Sequence, residues 1–179
     1  MKQTLVLLAI GVAATVVQGA MNTLVPVRFT PDLGFLIVIA LGVHWRSTAG
    51  GLVLATLQGF TVDLLSGSLL GEHALLRLLA FAAARAASRH LNVRGMLPQA
   101  VFVMVFTAAN AVGVGTLNVF FASGGGFDVV MLRDVLPHAF VNACFAPLVI
   151  RAVEEIGRAL GEDEGGRLPL RLDSRRRVV

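Results

Sequence analysis

The 179-residue chain has no tyrosine, a single tryptophan, a single cysteine, and one lysine against fourteen arginines. Cys144 alone cannot form an intrachain disulfide, which removes the stapled secreted scaffolds. It falls in an apolar stretch, where a free thiol ordinarily serves as a small core residue. Charge is scarce too: 15% of residues are Asp, Glu, Lys or Arg, against about 25% in a typical soluble domain. With 56% hydrophobic residues and a mean hydropathy of +0.79, this excludes a disordered chain and an ordinary water-soluble enzyme. The net charge of +4 does not imply nucleic acid as a partner. Seven of the fifteen basic residues follow Ile150, mixed with six acids and no aromatic, whereas a nucleic-acid face needs a basic stripe interleaved with aromatics.

What the chain does have is long uncharged sequence. Twenty-five uncharged residues separate Lys2 from Arg28, and thirty-three separate Arg94 from Asp128. Apolar runs of about 18 residues or more read as membrane-crossing helices. Charged or turn-rich breaks divide the chain into six apolar segments, near residues 5–25, 33–43, 48–65, 73–89, 97–121 and 129–150. At about 1.5 Å per residue the second falls short of a hydrocarbon core near 30 Å, and it is predicted to be a short helix extended by flanking residues. The fold class is therefore all-α: a compact six-helix transmembrane bundle over residues 1–150. A cytoplasmic tail, 151–179, follows and is expected to be largely disordered after about residue 161.

The first twenty residues have the outline of a signal peptide; a cut after Ala20 would place bulky Gln18 at the minus-three position, and a cut after Gly19 stays open. The segment is read as an uncleaved first helix. Basic residues then set topology. With the N-terminus in the cytoplasm, Lys2, Arg46, Arg89, Arg94 and the seven tail arginines lie inside, and Arg28 and Arg133 lie outside. Both termini are expected in the cytoplasm of a multi-pass inner-membrane protein. His44-Trp45-Arg46 suits the inner interface, where an indole and a guanidinium anchor at headgroup depth.

Three patterns could carry function. Gly51, Ala55, Gly59 and Asp63 recur every four residues, so they share one helix face. Small residues there let another backbone approach, either within the chain or from a partner. Asp63 ends that helix, and Glu72, His73 and Arg77 open the next; an antiparallel pair would bring Asp63 toward Arg77, read as a structural salt bridge rather than an ion site. Asp134, His138 and Asn142 form a polar stripe on the sixth segment. Metal binding needs three or four converging ligands, and the histidines are too scattered to supply them. No phosphate-binding glycine loop, cofactor fingerprint or nucleophile elbow occurs. His138 and Asn142 match the HxxxN element of intramembrane prenyl-protein proteases, but Glu154-Glu155-Ile156-Gly157-Arg158 comes later and is one residue short of the EExxxR element. No enzyme constellation is complete. The run Ser174-Arg175-Arg176-Arg177 could touch anionic lipid of the bilayer, and is read as a solvated, topology-setting charge run.

Pro31-Asp32-Leu33 opens the second segment, and Asp63-Leu64-Leu65-Ser66-Gly67-Ser68-Leu69-Leu70-Gly71-Glu72-His73-Ala74-Leu75 joins the third to the fourth. With Ala146-Pro147-Leu148 near the end of the sixth, these stretches resemble the rod shape-determining protein MreD family. The resemblance implies a non-catalytic membrane scaffold without cofactors. It would bind MreC and work with MreB, the glycosyltransferase RodA and a class B penicillin-binding transpeptidase in lateral peptidoglycan synthesis, and a homodimer stays open. It also implies a fold similar to the six-helix substrate-binding subunit of energy-coupling-factor vitamin transporters. Such a transporter subunit is the alternative function, although it needs an outward pocket rich in polar and aromatic groups.

Overall fold

A computed structural model describes residues 2–45, 47–67, 69–121 and 129–165, with side chains described over 5–45, 47–67, 69–121 and 133–160. Among these residues the chain forms six α-helices and no strand: α1 (Lys2–Met21), α2 (Leu33–His44), α3 (Thr48–Ser66), α4 (Glu72–Ala87), α5 (Met96–Phe121) and α6 (Val129–Gly165). A 3-10 turn, Val27–Phe29, leads into α2. Short connections make sequential helices antiparallel, so one end of the bundle gathers the start of α2, the end of α3 and the start of α4.

The short second segment has a physical reason. Nine consecutive residues of α2, Gly34 through Gly42, are buried. A helix that is apolar on every side has no outward face to maintain and belongs inside. It packs against α1, α3, α4 and α6, so it forms the axis of the bundle rather than part of its lipid-facing wall. Phe35, Ile39 and Leu41 join Phe81, Leu54, Val103 and Ile150 in a single core.

The spans are less uniform than the sequence predicts. Four stretches are long and apolar enough to cross a membrane: Val27–His44, which takes in the 3-10 turn, Thr48–Ser66, Met96–Phe121 and Arg133–Leu160. Leu5–Met21 is apolar but shorter. The 16-residue α4 carries Glu72, Arg77 and Arg85, and it compensates by turning Glu72 and Arg77 inward among its neighbours. Outward-facing positions such as Leu57 and Phe60 on α3, Val105 on α5 and Phe140 and Leu148 on α6 are exposed and apolar, as a lipid-facing wall requires.

Helix α6 runs to Gly165, into the 151–179 tail and past the point near residue 161 after which composition predicts disorder. It includes Pro137 and Pro147, which membrane helices tolerate because neighbours re-satisfy the freed backbone groups. The Ser174–Arg177 run lies outside the described residues.

The stripe of small residues on α3 is occupied by α4 of the same chain. A methyl group added at Gly59 would run into the backbone of His73 and Ala74, and one at Gly51 into the ring of Phe81. Ala55, between them, is fully buried. Because a backbone cannot retreat as a side chain can, Gly59→Leu is expected to lower stability by at least the about 1–3 kcal/mol typical of overpacking. Leu57→Ala, on the outward face of the same helix, is expected to stay within about 0.5 kcal/mol of wild type. Thermal unfolding of the two variants in detergent makes the comparison, and equal melting would show that the α3–α4 contact is loose.

Candidate functional site

Asp32 sits where the chain turns into α2. Its side chain accepts a hydrogen bond from the Phe35 N–H at 2.9 Å, capping the helix. The same carboxylate takes the Arg77 guanidinium, with Nη2 at 2.9 and 3.2 Å from its two oxygens. Arg77 is only 2% exposed. An unpaired charge at such a place is strongly disfavoured, so the partner is obligatory. The expected Asp63–Arg77 bridge is thus replaced: Arg77 reaches inward across α4 to the capped end of α2, and Asp63 has other work.

From this ion pair, hydrogen bonds extend through every helix. Arg77 Nη1 donates to the Gln58 carbonyl of α3 at 3.4 Å. The Gln58 side-chain amide donates to the Gly11 carbonyl and the Thr15 hydroxyl of α1, both at 2.8 Å. In the other direction, the Asp32 backbone N–H donates to Asn142 Oδ1 of α6 at 2.8 Å, and Asn142 Nδ2 donates to the Thr107 hydroxyl of α5 at 3.3 Å. Asn142 is wholly buried, and the His138 ring lies 3.3 Å from its amide. The network passes over Gly34, where a methyl group would stand 2.7 Å from both Arg77 Nη1 and Gln58 Nε2. A side chain at that position would have to push the Arg77 and Gln58 ends off their hydrogen bonds.

Asp63 performs a different task. It is 1% exposed and accepts from the N–H groups of Gly71 at 3.0 Å, His73 at 2.9 Å and Ala74 at 3.2 Å, while His73 Nδ1 lies 2.9 Å away. These N–H groups are the unsatisfied donors at the start of α4, whose own N-cap, Gly71, offers no side chain. A carboxylate placed at a helix N-terminus also meets the positive end of its dipole. Gly67 and Gly71 hold φ of 65° and 92°, a region that penalises any side chain, and so turn the loop back on itself. The spacing of the D-L-L-S-G-x-x-x-G-x-x-A-L stretch is thereby explained: the acid caps the next helix, the two glycines make the reversal, and Ala74 is small where Gly59 crosses it.

The remaining expected residues fall into smaller groups. Glu72 accepts from Asn118 Nδ2 of α5 at 3.1 Å. Asp134 pairs with Arg28 of the 3-10 turn at 3.4 Å. At the opposite end of the bundle, His44 Nε2 is 3.0 Å from Glu154, and the Trp45 carbonyl accepts from Arg85. This pair of residues, predicted as interface anchors, therefore ties α2 to α6 and α4. His138 and Glu154 lie sixteen positions apart on one helix, roughly 24 Å along its axis, so the protease-like elements do not converge. Among the described residues no three His, Cys, Asp or Glu side chains are placed to hold a metal ion.

Sequence reasoning missed Asp32 as the hub, and with it Gln58, Thr107 and Asn118. Asp32 carried a readable signal, being an N-cap residue directly before an apolar run. Gln58, a long polar residue in an otherwise uncharged and apolar stretch, carried a weaker one.

A helical bundle with an apolar wall, whose buried polar groups join its own helices, defines a polytopic integral membrane protein. The model of the family described as rod shape-determining protein MreD matches residues 1–152. That span covers all of α1 to α5 and most of α6, and the chain belongs to this family. No curated protein and no solved structure matches the chain. Family membership gives the protein a role in rod-shape determination, in a family of structural proteins rather than enzymes.

If Asp32 and Arg77 form one unit, Asp32→Asn or Arg77→Met alone is expected to cost about 3–5 kcal/mol, because each strands a buried charge. The double variant is expected to lose less than the sum by roughly 1–3 kcal/mol. Denaturation in mixed micelles measures the cycle, and strictly additive losses would show that the pair is not coupled.

Proposed function

We propose that this protein is a non-catalytic scaffold of the bacterial cell-elongation machinery, seated in the inner membrane with both termini in the cytoplasm. It binds MreC through lipid-facing helix surfaces, and through that complex it works with MreB, RodA and the class B transpeptidase in lateral peptidoglycan synthesis. The observation that carries this reading is the family match over residues 1–152, which spans the membrane bundle. Two features support it. The basic residues of the tail favour a cytoplasmic C-terminus. The polar groups of the bundle engage neighbouring helices of the same chain, which suits a rigid platform.

Depletion in the native bacterium is expected to turn rods into round cells, and tagged protein extracted in mild detergent is expected to co-purify MreC. Rods that persist after depletion would remove the shape-determining role. Rounding without MreC in the purified material would leave the role and remove this partner.

A further inference from the structure

A crevice of about 300 Å³ opens between the start of α4 and the end of α5, lined by Leu69, Leu70, Glu72, Leu75, Leu117 and Phe121. Its mouth is greasy, since Leu70, Leu75 and Phe121 are exposed on the outer wall. Its one ionisable lining residue is Glu72, only 5% exposed. Among the described residues no Arg, Lys or His nitrogen forms an ion pair with this carboxylate; its hydrogen-bond partner is the neutral amide of Asn118. The basic side chains in the first turns of α4 are engaged elsewhere, Arg77 on Asp32 and the His73 ring on Asp63. Asp63 itself binds the N–H of the residue next to Glu72, so two carboxylates lie at this end of the α3–α4 hairpin. A buried carboxylate facing an apolar opening favours a cation with N–H donors.

Depth selects which cation. Helix α5 has 26 residues, about 39 Å at 1.5 Å per residue, and so overreaches a hydrocarbon core near 30 Å. Asn118 and Phe121 belong to its last turn, and Glu72 is the first residue of α4. That reach puts the carboxylate at the level of lipid headgroups, with Leu75 and Leu117 on the inward side of it toward the acyl chains. We infer that the α4–α5 crevice binds a bilayer lipid carrying a primary ammonium headgroup, with the ammonium on Glu72 and the acyl chain running inward along Leu75 and Leu117. A phosphoethanolamine lipid has this form. A choline headgroup has the charge without N–H donors, and a glycerol headgroup leaves the lipid anionic.

The full-length protein, delipidated in detergent, is mixed with equal amounts of phosphatidylethanolamine, phosphatidylcholine and phosphatidylglycerol of identical acyl chains and examined by native mass spectrometry. Retention of the ethanolamine lipid is expected to exceed that of either competitor about tenfold, the value of one good charge-assisted hydrogen bond. Glu72→Gln, which keeps the shape and the Asn118 contact, is expected to abolish the preference with an unchanged melting curve. Leu75→Trp fills the crevice and leaves the carboxylate in place; it is expected to abolish retention, and it serves as the second test if the Gln variant unfolds. Free phosphoethanolamine is expected not to compete, because it lacks the chain. Equal retention of the three lipids, an undiminished preference in both variants, or full competition by the free headgroup overturns the assignment.

Discussion

The buried end of α2 is the constraint on which the rest of the bundle depends. A helix enclosed by other helices still presents unsatisfied N–H groups at its start, and its packed surroundings leave little room for water to receive them. Asp32 meets that demand but brings a negative charge into the interior, and the charge requires Arg77. Arg77 in turn has donors to satisfy, and the Gln58 carbonyl accepts from one of them. Each buried polar group thus calls for the next, until α1, α3, α4, α5 and α6 are all joined to the first turn of α2. Packing alone is a weak guide to register between apolar helices in lipid, because the hydrophobic drive between them is absent. Directional bonds supply the register instead.

Two devices let the helices approach closely enough for those bonds. The small face of α3 lets α4 cross at backbone distance, with Gly59 against Ala74 and Gly51 against Phe81. The bare Cα of Gly34 makes room for the guanidinium and the Gln58 amide. Asp63 then seals the α3–α4 hairpin by capping α4 from the preceding helix. A protein built this way is stiff where its polar groups meet and largely apolar where it meets lipid. That combination suits a member of a shape-determining family.

The legibility of the sequence varied with the kind of information each residue carried. The six apolar segments and their breaks appeared at nearly their true positions, because runs and interruptions are one-dimensional signals. The loop from Asp63 to Leu75 stood out by spacing, yet its chemistry did not: an acid and an arginine at neighbouring helix ends suggest a bridge, and the acid instead serves backbone N–H groups. Arg77 could have met any acid at its depth, and nothing local to it favours Asp32, 45 positions earlier. The stripe of Gly51, Ala55 and Gly59 was legible as a packing seam, but whether the neighbour belonged to this chain was not. Trp45 and His44 matched an interface anchor by type, and their contacts turned inward to α4 and α6.

The sequence by itself determined that the chain is helical and membrane-embedded, roughly where its six apolar segments lie, and that its second helix is short. These properties follow from composition and periodicity, which act on each segment separately. The tertiary structure alone decided that the short helix is the axis of the bundle, that Asp32 rather than Asp63 holds Arg77, and that the small-residue seam is filled from within. Those outcomes depend on which side chains share a depth and a facing direction once six helices are packed, and pairing across such distances leaves no mark on the local pattern.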